Sequence, residues 1–202
     1  METAQELANN LLILTVYLIV VVLVFNRAFK SLEGLVIFET ETDSLNKQLE
    51  EKNLNDLINI KFSFAQSYKL DELKFLSLTI ENKSKESFIE IDWKQCFISD
   101  FSKRIRQAVR SIPGTPTPDV AQSSKIPPGQ KIEEKISDED ISASLFDPKK
   151  LQEAAQKEDD FFLQFPLKIS EPGKDARSCN LRCTFIAKVL PWQRAFVLAL
   201  KP

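Results

Sequence analysis

Leu11–Phe25 reads LLILTVYLIVVVLVF, fifteen consecutive uncharged residues in which only Thr15 and Tyr17 carry a polar side-chain atom. Such a run has to leave water, into either a bilayer or a protein core. It is too long and too uniformly apolar for a half-buried strand, for all its Val and Ile. As a helix rising 1.5 Å per residue it covers about 22 Å, short of a hydrocarbon core of about 30 Å. Ala8–Asn10 and Asn26–Phe29 close the gap, with Arg27 and Lys30 reaching outward to the headgroups. The span then comprises Leu11, Leu12, Ile13, Leu14, Val16, Tyr17, Leu18, Ile19, Val20, Val21, Val22, Leu23, Val24 and Phe25 around Thr15. A cleaved signal peptide needs a basic start, but residues 1–10 hold Glu2 and Glu6 with no Lys or Arg, and no small-residue cleavage site follows the run. A lipid-modified anchor needs an early cysteine, and the first is Cys96. A buried core helix is the remaining alternative. The expectation is an uncleaved single span, with residues 1–30 as anchor and flanks.

Orientation follows from flanking charge. No basic residue precedes the run and Arg27 and Lys30 follow it, which keeps the C-terminal bulk on the cytoplasmic side. Three cysteines, Cys96, Cys179 and Cys183, are an odd number and no disulfide framework, in keeping with a reducing compartment.

After Lys30 the apolar residues recur every second position. Leu35–Thr42 reads as a first strand. Ile58–Phe64, Leu76–Glu81, Ile89–Trp93, Lys131–Ile136, Phe161–Ile169, Leu181–Val189 and Arg194–Leu200 read as further strands. The polar stretch Asn82–Ser87 suits the turn of an antiparallel hairpin between two of them. Lys103–Ile112 fits either a helical stripe or a strand whose arginines face outward, and its neighbours favour the strand. Ile112–Lys131 holds five prolines and two glycines and reads as a long surface loop without a ladder. Two helices interrupt the strands. One lies within Asp43–Asn53, with Leu45 and Leu49 on one face. The other is opened by Asp147 as N-cap and Pro148 as first residue, with Leu151, Ala154 and Ala155 inward. Ser137–Asp140 has the look of a further short helix start. About eight strands and fifteen phenylalanines predict a mainly β chain: a single transmembrane helix, then an Ig-like antiparallel β-sandwich over residues 31–202 with one or two short helices inserted.

The run LTIENKSKESFIEIDW, then CFISDFSKRIRQAVR, then KIPPGQKIEEKI resembles bacterial membrane-anchored or lipoprotein-type β-sandwich domains. In those, a strand ending Asn-Lys-Ser/Thr precedes an Ile-x-Ile-x-Trp strand. A Phe-x-Asp turn, an Arg-Val strand and an Ile-Pro-Pro-Gly segment follow. The resemblance covers about the middle third of the chain. It lacks the lipid-attachment cysteine and the glycine usual after the Phe-Ile-Ser-Asp turn. It implies a fold and an anchor, and carries no catalytic residue.

Composition narrows the chemistry. With no histidine, Ser-His-Asp and Cys-His nucleophiles and histidine-ligated zinc are excluded. Four scattered glycines form neither a P-loop nor a GxGxxG turn. A net charge of −2 does not attract nucleic acid. Cys179 and Cys183 lack further soft ligands, and Cys183 falls on an inward strand face, so both read as structural, with no metal and no cofactor. The acidic runs Asp138–Asp140 and Glu158–Asp160 lack calcium-loop spacing and read as solvated helix-end charge. Asn82-Lys-Ser84 matches a glycosylation sequon, a match common by chance. Lys103, Arg104, Arg106 and Arg110, with Arg27, Lys30 and Trp192, are candidates for contact with a partner or with lipid headgroups; a solvated outer strand face is the plainer reading of the basic stretch. The expected function is a membrane-anchored, non-catalytic binding, assembly or accessory module that docks a membrane-protein partner. The alternatives are a tethered enzyme using paired carboxylates and a lipid-handling module.

Overall fold

The computed structural model describes residues 2–32, 34–111, 123–138, 143–191 and 193–194, with side chains described for Ala8–Arg27 and from Gly34 onward. It divides into one unit comprising Met1–Gly34 and Leu190–Pro202 and a second comprising Leu35–Val189.

In the first unit, helix α1 runs Glu2–Leu32 without a glycine or proline to break it. Its segment Ala8–Arg27 is twenty residues with a mean hydropathy of 2.5, long and apolar enough to cross a membrane. The helix continues through the polar residues on both sides of the run, as the length argument requires. Thr15 returns its hydroxyl to the Leu11 carbonyl at 2.8 Å, the usual way a hydroxyl is satisfied inside an apolar helix. Gln193 and Arg194 are helical rather than the start of a closing strand, and the rest of the expected strand Arg194–Leu200 lies outside the described residues.

The second unit is two antiparallel sheets. In chain order the strands are β1 Leu35–Thr40, β2 Ile58–Ser63, β3 Tyr68–Lys69, β4 Leu76–Asn82, β5 Phe88–Ile91, β6 Phe97–Ser99, β7 Ile105–Gln107, β8 Val109–Ser111, β9 Ser124–Ile126, β10 Lys131–Ser137, β11 Asp160–Ser170 and β12 Arg177–Val189. The larger sheet runs β3-β1-β12-β11-β5-β9, with β6 on β11 and β7 on β6; the smaller runs β2-β4-β10-β8. The chain is mainly β, with a β-sandwich-like arrangement of curled antiparallel sheets.

The long β11–β12 hairpin is the centre of the larger sheet, in register from Asp160↔Ile186 to Ile169↔Arg177. Its alternation puts Phe161, Leu163, Phe165, Leu167, Leu181, Cys183, Phe185 and Ala187 on one fully buried face. Leu76, Leu78, Ile80, Ile58 and Ile136 supply the facing layer from the smaller sheet. Rings join the layers where Phe62 meets Phe185 edge-on at 4.7 Å, and within the larger sheet Phe38 meets Phe161 at 5.9 Å.

Both expected helices form. Helix α2, Thr42–Glu51, buries Leu45 and Leu49. Its Gln48 finishes the edge of β12, donating to the Arg182 carbonyl at 2.7 Å and accepting from the Arg182 amide at 3.0 Å. Helix α3, Pro148–Lys157, has Asp147 accepting from the Lys149 and Lys150 amides and buries Leu151, Ala154 and Ala155.

Three expectations are corrected. Asn82–Ser87 is no hairpin turn, because β4 belongs to the smaller sheet and β5 to the larger. The buried Asn82 side chain turns the chain across the sandwich. Its amide donates to Ser87 O at 2.7 Å and Ile126 O at 2.9 Å, while its oxygen accepts from the Ser84 amide and hydroxyl. Lys103–Ile112 is two strands, since the chain changes sheets at the buried Ala108, whose amide bonds Cys96 O at 2.9 Å. The proline-rich stretch holds a ladder after all: β9 pairs β5 at Ile89↔Ile126. Ser137 ends β10, with its hydroxyl on Lys74 O at 2.9 Å, and the rest of the short helix start expected over Ser137–Asp140 lies outside the described residues beyond Asp138. The twelve strands among the described residues exceed the eight expected because these sheet changes cut the middle of the chain into short pieces.

Asn82→Ala should therefore lower the stability of the folded unit by about 3 kcal/mol, leaving two buried carbonyls and the Ser84 donors without their partner. Asn82→Asp should be at least as damaging, since a carboxylate would aim acceptors at those carbonyls. Chemical denaturation of the two variants measures both.

Candidate functional site

Of the basic stretch, Arg104 and Arg106 are brought to a cleft. Between β6 and β7 the chain makes a tight turn, Asp100–Arg104, organised by a single carboxylate. Asp100 Oδ1 accepts from the Ser102 and Arg104 amides at 2.8 and 2.9 Å, and Oδ2 accepts from Arg104 Nε at 2.9 Å and Nη2 at 2.8 Å. Burial raises the Asp100 carboxyl, but the Arg104 amide and guanidinium and the Ser102 amide outweigh it and hold the group below the ordinary aspartate value. The turn also forces Lys103 into the left-handed region at φ 58°, a conformation that favours glycine. Lys103 Nζ then reaches Asp160 Oδ1 at 2.7 Å.

A cleft of about 390 Å³ lies between this turn and the segment leading into α3, lined by Asp100, Phe101, Arg104, Ile105, Arg106, Ser144, Leu145, Phe146, Asp147 and Lys150. Its floor is aromatic, Phe101 on Phe146 with centroids 4.7 Å apart. Its rim carries the cations, and those are committed. Arg104 is bidentate on Asp100. Arg106 pairs with Asp138 and donates from Nη2 to Leu145 O at 2.7 Å. Lys150 donates to Ser102 Oγ at 3.0 Å. Both cleft carboxylates, Asp100 and Asp147, serve the turn and the helix cap.

Arg110 departs further from an outer strand face. It stands opposite Ile136 on the inner side of the smaller sheet, with its side chain 13% exposed. There it donates to Glu134 Oε1 at 3.2 Å and Ser124 Oγ at 3.1 Å, while Ser124 donates to Glu134 at 2.8 Å and accepts from Trp93 Nε1 at 2.9 Å. One hydroxyl thus spends a donor and two acceptors linking the sheets. The pattern Arg-x-Arg looked like outward alternation, and it hid this because a buried cation is invisible until its carboxylate is placed. Trp93 is fully buried in the core.

The basic residues therefore form no single face. Lys103 and Arg104 reach solvent, Arg106 is one-third exposed and Arg110 is interior. Arg27 lies at the end of the apolar segment of α1 and its side chain is exposed. Lys30 is on α1, but its side chain, like all of Trp192, lies outside what is described.

All three cysteines are free thiols. Burial pushes Cys96 and Cys183 far up, Cys96 with the Asp92 carboxylate adding to it; burial also raises Cys179 against Lys52 and Arg177. Among the described residues no group of three His, Cys, Asp or Glu side chains is placed to hold a metal ion. The run Glu158–Asp160 is spent on a left-handed helix cap at Glu158, a backbone bond from Ala187 to Asp159 and the Lys103 pair; Asp138 pairs with Arg106, and Glu139 and Asp140 lie outside the described residues. The sequon asparagine is fully buried.

No protein-family model and no curated protein matches the chain. Among solved structures it is similar to one described as the ApaA protein from Bordetella pertussis, with a TM-score of 0.34 and 12% identity over 65% of this chain and 89% of that one. It is similar also to a structural-genomics target, SoR45, with a TM-score of 0.30 and 11% identity over 77% and 87%.

Two expected outcomes test the turn. Lys103→Gly should be more stable than Lys103→Ala by about 1 kcal/mol, since both lose the ion pair and only glycine is free of the left-handed penalty. Denaturant midpoints compare them. Because folding lowers the Asp100 pKa, its stabilisation is complete above the ordinary value of about 3.9 and is lost as pH falls through the folded one. Asp100→Asn should therefore be weaker at pH 7 and lose less than the parent between pH 5 and pH 2, as thermal melts across that range report.

Proposed function

We propose that this chain is a membrane-tethered, non-catalytic β-sandwich module that docks a protein partner at the bilayer surface, with the sandwich on the cytoplasmic side. The observation that carries the reading is the segment Ala8–Arg27, twenty residues with a mean hydropathy of 2.5 and none of it buried against protein. A core helix hides its apolar side chains; this one leaves Leu11, Tyr17, Leu23 and Val24 more than 60% exposed, so a bilayer is the natural solvent for it. Tethering confines the sandwich to a plane, where even a modest patch meets a membrane partner at high effective concentration. The side chains that a carboxylate enzyme would need in the cleft, Asp100 and Asp147, are spent on a turn and a helix cap, which favours binding over catalysis. Lys103, Arg104 and the exposed Ile105 are the rim residues best placed to touch that partner. Arg27 and Lys30 support the cytoplasmic orientation by the positive-inside rule.

The test is fractionation followed by affinity purification of the full chain from detergent-solubilised membranes. The protein should stay in the membrane pellet after an alkaline carbonate wash and bring down a second protein in fixed stoichiometry. A cysteine placed at the exposed Ser123 should resist an impermeant thiol reagent in intact cells. Recovery from the soluble fraction, or from membranes without a second protein, contradicts the proposal; labelling from outside reverses the orientation.

A further inference from the structure

Two hydroxyls lie within the apolar segment of α1, and they are treated differently. Thr15 is satisfied by the Leu11 carbonyl at 2.8 Å. Tyr17 is 64% exposed, and its hydroxyl has no hydrogen-bond partner among the described residues. It is also the tenth residue of the twenty in Ala8–Arg27, so on the spanning reading it sits at the bilayer midplane. Headgroups are about 15 Å away on either side, beyond the reach of a phenol. An unpaired hydroxyl in hydrocarbon is costly, and water cannot relieve it there.

Neighbouring positions say what would relieve it. Asn10, Tyr17 and Val24 recur at intervals of seven, and Leu14 and Val21 fall between them, so all five lie within one narrow stripe of the helix. That is the seam of a left-handed helix pair. Its two polar members, an amide and a phenol, each both donate and accept. Each can therefore be completed by an identical copy of itself. Copies of one chain insert with one orientation, so a two-fold pair is parallel and brings Tyr17 to Tyr17 and Asn10 to Asn10 at equal depth. No charged residue interrupts the seam.

We infer that α1 pairs with the α1 of a second copy of this chain in the bilayer, through Asn10, Leu14, Tyr17, Val21 and Val24, with the two Tyr17 hydroxyls hydrogen-bonded at the midplane. This rests on the membrane-spanning reading proposed above. The partner is a second copy because the seam is complementary to itself; another protein's helix would have to supply a matching acceptor at the same depth.

Disulfide cross-linking of the full chain in phosphatidylcholine–phosphatidylglycerol vesicles, in a Cys179→Ser background, tests it. Leu14→Cys and Val21→Cys should cross-link into dimers, whereas Leu12→Cys and Ile19→Cys, on the opposite side of the helix, should not. Tyr17→Phe removes only the oxygen and should lower the dimer fraction of Leu14→Cys roughly three- to fifteenfold at high lipid dilution. Insertion without cross-links, equal cross-linking from both sides, an unchanged Tyr17→Phe, or dimers that need a co-purified second protein would each overturn the inference alone. Failure to insert, read by carbonate extraction of the same vesicles, would overturn the spanning reading with it.

Discussion

Asn82 is the residue on which the arrangement of the sandwich depends. Its backbone amide bonds Gln130 O at 2.8 Å and its carbonyl accepts from Gly129 at 3.0 Å, closing β4 onto the start of β10. Its side chain meanwhile holds Ser84, Ser87 and Ile126, where the chain leaves one sheet and joins the other. Every polar atom of the residue is used and the residue is fully buried, so the loss of any partner leaves a buried group unsatisfied. On the same edge of the sandwich the Trp93–Ser124–Arg110–Glu134 network makes a second polar tie between the sheets. Apolar packing makes the sandwich favourable; these two clusters decide which strand lies beside which.

That division explains the motifs of the middle third. Asn82-Lys-Ser84, Trp93 and Ile126-Pro-Pro-Gly129 look like three separate signatures along the chain, and in space they belong to the polar ties of one edge. Gly129 takes φ 71° to make its bond to Asn82, a turn that favours glycine. Asp100 does similar work at the next turn, with Lys103 bearing the conformation that a glycine would adopt more cheaply. A chain whose recognisable residues are consumed in holding its shape is in keeping with a module whose function lies in where it is displayed and what its rim touches.

Much of the fold was legible because it follows local rules. Period-two alternation located β4, β10, β11 and β12 and their inward faces, and the Asp147–Pro148 pair located the start of α3. The apolar run, extended to Ala8–Phe29 to reach across a bilayer, lies inside α1, which continues further at both ends, from Glu2 to Leu32. Partnership was not legible. Alternation tells a strand which face is wet and says nothing about which sheet it joins, so Asn82–Ser87 read as a hairpin and Lys103–Ile112 as one strand. The candidate site suffered in the same way. Arg106 and Arg110 fit an outward pattern until Asp138 and Glu134, 32 and 24 residues away in the chain, are brought against them. Five prolines hid β9, because Ser124–Ile126 itself contains none and needs only three residues to pair β5.

The most direct measurement of this account is native-state hydrogen exchange. The amides of Ser84, Ser87 and Gly129 lie outside the strands, yet each bonds to Asn82 or to its partner Ser84. If the polar tie holds the sheets together, these three amides should exchange only with global unfolding, as slowly as those of the β11–β12 hairpin. Exchange on the timescale of ordinary surface turns, while β11 and β12 stay protected, would contradict it.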